Sequence, residues 1–166
     1  MATKTFTFSS LPHDVNALRT LPEASLTDPY AVAALTVLAL CEYRENSENC
    51  ISMLDYLKGP QPLSPFEKQF LRDRLAYGTG YIPFSFFEGA VPGNNYTPLS
   101  PFTVKVSDNP YSFGEENRAV LWLTSGGADS PREVKLRKKP STGEWFLTEQ
   151  MLLGGIRIPV AEDPWA

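Results

Sequence analysis

The richest set of chemically capable residues in this chain is the segment Ser125-Gly126-Gly127-Ala128-Asp129-Ser130-Pro131-Arg132. Its paired glycines let backbone amides turn toward an anion, Ser125 and Ser130 add hydroxyls, and Arg132 adds a planar fork of donors. These are the parts of a phosphate or carboxylate cradle. The segment lacks the Lys-Ser/Thr ending of a P-loop, and no helix is expected after it, which argues against a nucleotide. The plainer reading is a turn in which Asp129 caps the backbone and pairs with Arg132. A second set is Tyr77, Tyr81 and Tyr96, which could line an apolar pocket at the mouth of a curved sheet, or simply fill the core.

Acid-base chemistry finds little support. His13, the only histidine, is followed by Asp14, but neighbouring extended residues point to opposite faces, so a surface turn after Pro12 is the favoured reading. General acid or base work would then fall to Asp, Glu, Tyr or Lys, and no pair stands out, so no catalytic residue is singled out. Cys41 and Cys50 have neither CxxC spacing nor a histidine cluster nearby, which argues against zinc. Asp108 to Asn117 is rich in oxygen ligands but departs from the calcium-loop pattern and reads as a solvated loop. No metal and no cofactor is expected.

These residues must be held by a single domain. The chain has 166 residues, a net charge of -4 and a sequence pI near 5.0, which gives no basic field for nucleic acid. Its only basic run, Lys135 to Lys139, alternates with Val134 and Leu136 and reads as the solvated face of a strand. The longest apolar run, Ala31 to Cys41, is too short for a bilayer, so no membrane is expected. The opening residues lack the apolar stretch of a signal peptide, so a cytoplasmic protein with reduced thiols is expected.

Capping signals place three helices. Thr27-Asp28-Pro29 opens the first, which should run to about Glu45. Asn46 or Ser47 caps a second, ended by Gly59-Pro60. Ser64-Pro65-Phe66-Glu67 opens a third that should run to about Tyr77 and bury Phe66, Phe70, Leu71 and Leu75. Beyond Gly78 the period changes to that of strands. Lys4 to Phe8 is a candidate first strand, and 81–101 is a long irregular connection with room for one short strand. Strands should then cover 102–106, 119–124 (central, with Trp122 buried), 132–139 and 144–150. The expected class is α+β, with N-terminal helices packed on a curved antiparallel sheet formed by the C-terminal half.

The stretch Ser125-Gly-Gly-Ala-Asp-Ser-Pro-Arg132 with its Gly127-Ala-Asp-Ser-Pro-Arg132 turn, the following Val134-Lys-Leu-Arg137, the hairpin residues Gly143-Glu-Trp-Phe-Leu147 and the ending Asp163-Pro-Trp-Ala166 resemble those of an uncharacterised family of small bacterial proteins. That resemblance implies no activity. Helices leading into a sheet with a Gly-x-Trp hairpin also resemble the nuclear transport factor 2-like cone fold, which implies a sheet able to enclose a pocket.

Two functional readings follow. One is a non-enzymatic module that binds a protein partner, a second copy of itself, or a small apolar or anionic ligand. The other is a small cone-fold enzyme using carboxylate or tyrosine acid-base chemistry. Trp165, next to the end of the chain, is expected to dock on this subunit's core or on a second copy.

Overall fold

A computed structural model describes residues 1–166. The fold is α+β: a five-stranded antiparallel sheet in the order β1-β2-β3-β4-β5, with one helix lying across its inner face. Strand β1 (Thr3–Phe8) is an edge strand and pairs along its whole length with β2 (Phe102–Ser107). The sheet is therefore not built by the C-terminal half alone. Strands β3 (Arg118–Leu123), β4 (Arg132–Lys139) and β5 (Glu144–Gln150) complete it, with a bulge between Lys135 and Leu136.

Helix α1 (Val15–Arg19) is additional to the three expected helices; Asp14 caps it by accepting from the Ala17 amide at 2.7 Å. Helix α2 (Pro29–Cys41) is the centre of the molecule. Asp28 accepts from the Tyr30 amide at 2.9 Å, Pro29 occupies the first turn where no donor is needed, and every residue from Tyr30 to Cys41 is buried. It packs on all five strands. It stops at Cys41, short of the expected Glu45, because Asn46 must adopt an extended backbone to cap the next helix. Asn46 accepts from the Asn49 amide at 3.0 Å and opens α3 (Ser47–Lys58), whose buried stripe is Cys50, Met53, Leu54, Leu57 and Lys58.

Helix α4 (Pro65–Leu75) carries both bonds of a capping box: the Glu67 amide donates to the Ser64 hydroxyl and the Ser64 amide to the Glu67 carboxylate, each at 3.1 Å. Ser64→Ala is expected to cost about 1 kcal/mol in denaturant melts. The helix ends at Leu75, and Gly78 follows with a left-handed φ of 78°. Its buried side differs from expectation. Only Leu71 and Leu75 face the body, while Phe66 is 80% exposed and Phe70 is exposed as well. Phe70 lies about 100° round the axis from Leu71, so the side that the caps orient toward the core misses it.

The connection before β2 holds 3₁₀ turns at Ile82–Phe86 and Pro92–Asn94 and no strand. Along β2 to β5 the alternation places Val104, Val106, Ala119, Leu121, Leu123, Val134, Leu136 and Leu147 inward, all buried. β3 is central, but Trp122 alternates with the buried Leu121 and Leu123, points to the opposite face and is only half-buried. After β5 the chain buries Leu152 and Leu153 and ends in a 3₁₀ turn at Val160–Glu162. Trp165 is 92% exposed and does not pack on this subunit's core. No helix is long and apolar enough to cross a membrane.

Cys41 and Cys50 are buried and unbonded to one another. Alkylation without reductant is expected to add no label to the folded chain and two labels in denaturant; fewer than two in denaturant would mean a disulfide.

Candidate functional site

The loop Ser125–Arg132 joins β3 to β4, and its donors turn inward. The Gly126 amide donates to the Ser85 carbonyl at 2.8 Å, Ser125 Oγ donates to Ser85 Oγ at 2.7 Å, and the Gly127 amide donates to Ser125 Oγ at 3.0 Å. Arg132 donates to the carbonyls of Gly154 at 3.0 Å, Ser130 at 2.9 Å and Gly155 at 3.3 Å. Asp129 pairs with Arg157 at 3.0 Å and not with Arg132. Tyr96 is buried, and its hydroxyl donates to the Arg157 carbonyl. The loop, Tyr96 and the C-terminal segment thus form one clasp.

Tyr81 stacks on Tyr96 with ring centroids 5.4 Å apart and an interplanar angle of 3°. Tyr81 lines a cleft of 770 Å³ together with Arg44, Arg72 and Glu162, and neither Tyr77 nor Tyr96 borders it. Burial and then the Glu162 charge push its phenol up. Tyr77 is 69% exposed and stands apart.

His13 has a carboxylate partner that adjacency in sequence hid. Its Nδ1 lies 2.8 Å from the buried Glu42 Oε2, 29 residues away, while Asp14 is occupied at the α1 cap. This hydrogen bond and the Glu42 charge raise the histidine above its ordinary value of 6.5. A raised value means that the folded state favours the protonated ring, so the contribution is complete below about pH 6.5 and is lost as pH rises through the raised value. The stability difference between wild type and His13→Asn is therefore expected to shrink from pH 5 to pH 8; a difference that grows would overturn this. No nucleophile completes a triad. Burial pushes the Cys50 thiol up to about 12 and Cys41 well above its ordinary value, so neither supplies a thiolate.

Two further concavities flank an ion pair where the end of α3, helix α4 and the end of β5 meet. Lys58 is 5% exposed; its Nζ donates to the Thr148 carbonyl at 3.0 Å and pairs with Glu67 Oε2 at 3.0 Å. Burial would raise the Glu67 carboxyl, but the Ser64 amide and the Lys58 ammonium outweigh it and hold it below its usual value. On one side of this pair is a polar groove of 880 Å³ that includes Arg118, Lys135 and Tyr111. On the other is an apolar groove of 430 Å³. Its walls include the buried Leu54, Leu71, Leu147 and Leu153, and Phe66, Phe70 and Met151 stand exposed at its rim. No group of three or more His, Cys, Asp or Glu side chains converges anywhere in the fold to hold a metal ion.

Residues 10–160 match the model of a family described as a domain of unknown function, DUF6935. The chain belongs to the DUF6935 family. No curated protein and no solved structure matches it. The matched residues hold every helix, β2 to β5, the clasp and both grooves of the DUF6935 domain; β1 and Trp165 lie outside them. The groove of the DUF6935 domain contains none of the residues that sequence reasoning singled out as ligand-binding. One signal was available: Lys58 falls four residues after Leu54 on the apolar stripe of α3, an unusual place for a lone cation.

Proposed function

We propose that this chain is a non-enzymatic interaction module that docks another protein in the apolar groove between α4 and β5. The observation that carries the reading is the pair Phe66 and Phe70, large apolar side chains exposed along one flank of a capped, ordered helix beside a concave apolar floor. Exposed apolar patches beside a concavity mark interaction sites more often than they occur by chance, and Met151 at the rim adds an adaptable contact. At 430 Å³ the groove has room for one or two large side chains of a partner. The absence of an activated nucleophile beside the exposed His13 weighs against the enzymatic reading. Two buried, unbonded thiols accord with a reducing compartment such as the cytoplasm.

The test is selection of a random 12-residue peptide library on phage against the full chain. Enriched peptides are expected to share spaced apolar anchors and to lose binding to the Phe66→Ala/Phe70→Ala double variant. No enrichment, or peptides that bind the double variant equally, would overturn the reading.

A further inference from the structure

We infer that the partner segment docked in this groove is acidic as well as apolar: an amphipathic stretch whose large side chains seat against Phe66 and Phe70 while its carboxylates meet Arg74. The inference rests on the groove reading above and adds the chemistry of the occupant.

Helix α4 presents its apolar rim and Arg74 together. Phe66, Phe70 and Arg74 follow one another at intervals of four, so they line one flank of the helix, and all three border the groove. The Arg74 guanidinium lies over the Phe70 ring, 5.0 Å from its centroid, which holds the charge at the rim. The other charges bordering the groove are already matched. Lys58 pairs with Glu67 at 3.0 Å, and Glu149 pairs with Lys135 at 3.7 Å. Arg74 forms no ion pair within 4.0 Å, and neither do Lys68 and Arg72 on the same helix, whereas the one other acid of α4, Asp73, accepts from Gln69 at 2.8 Å. Arg74 is thus the one charge bordering the groove that has no ion-pair partner within this chain. A carboxylate can pair with Arg74 in a bidentate fork, which gives register and direction to an apolar contact that alone has neither.

A second copy of this chain is the weaker occupant, because groove against groove would bring the two unpaired Arg74 guanidiniums together with no carboxylate between them. A membrane surface is weaker as well. Lying on a bilayer calls for a broad, flat apolar face, whereas Phe66 and Phe70 stand along one flank of a concavity walled on its other side by Leu147, Met151 and Leu153.

The experiment uses the full chain and a fluorescein-labelled 18-residue peptide with Leu at helical spacing and Glu on the flanks, read by anisotropy at two salt concentrations. A second peptide carries Lys in place of each Glu. The acidic peptide is expected to bind at least tenfold more tightly than the basic one and to weaken as salt rises. Arg74→Glu should weaken the acidic peptide at least tenfold and strengthen the basic one, a reversal that a purely structural role for Arg74 cannot produce. Lys105→Glu, a remote surface change, should alter neither. Equal binding of both peptides, each lost in Phe70→Ala, would overturn the acidic partner and leave the groove reading standing. Binding unchanged in Phe70→Ala, or no binding of either peptide, would overturn both. Self-association in sedimentation that Phe70→Ala abolishes, or cosedimentation with vesicles of neutral and anionic phospholipid that Phe70→Ala abolishes, would overturn the inference in favour of a second copy or a lipid surface.

Discussion

Replacing Gly126 by alanine is expected to lower stability by about 3 kcal/mol, the upper end of the usual cost of forcing an atom into a packed site. A Cβ at this position would lie 1.9 Å from the Ala90 carbonyl oxygen, a backbone atom that cannot swing aside as a side chain would. Relief requires the loop or the segment at Ala90 to shift. Either movement strains the 2.8 Å bond from the Gly126 amide to Ser85, and with it the bond between the buried hydroxyls of Ser125 and Ser85. A buried donor that loses its partner costs about 1 to 3 kcal/mol, so the clash and the lost bond act together. Gly93→Ala is the control: a Cβ there meets nothing within 4 Å and the backbone is not left-handed, so its melting curve should match wild type within about 0.5 kcal/mol. Urea melts of the two variants decide the matter. A loss below 1 kcal/mol for Gly126→Ala would mean that the clasp is loose enough to open, and its amides would again be candidates for an anion.

The same glycine shows where sequence reading stopped. Paired glycines beside serines and an arginine have two physical origins, amides aimed at a ligand or backbone pressed against backbone, and composition alone does not separate them. Local signals were legible wherever one turn of chain determines the outcome. Asp28, Asn46 and Ser64 cap helices as their side chains dictate, and β4 alternates as its charges and aliphatics require. What was missed depends on distance. Glu42 reaches His13 across 29 residues, and Lys58 finds its acceptor on Thr148 across 90. The spacing of Phe66 and Phe70 is that of a buried stripe, yet both stand exposed. The helix is anchored instead by Leu71 and Leu75, and nothing local announces which of two apolar flanks the body will cover.

Leu38→Ala is expected to cost about 2 to 5 kcal/mol, and Phe66→Ala less than about 0.5 kcal/mol, although phenylalanine is the larger side chain. Leu38 is fully buried on a helix buried along its whole length from Tyr30 to Cys41 and packed against every strand. Removing its branched end leaves a cavity that α2 cannot close by moving. Its first turn is tied by Asp28 to the Tyr30 amide, the Tyr30 hydroxyl donates to Asp108 in the β2–β3 connection, and its far end leads into the Glu42 contact with His13. The site should therefore sit toward the costly end of the range, where residual cavity volume adds to the lost transfer energy. Phe66, exposed at the groove rim, gives up almost no burial within this chain when truncated, so its ring adds little to the fold. Melts of the two variants separate the residues that hold this fold from those it holds out. A loss above 1.5 kcal/mol for Phe66→Ala would place its ring in the core in solution and remove the rim on which the docking groove depends.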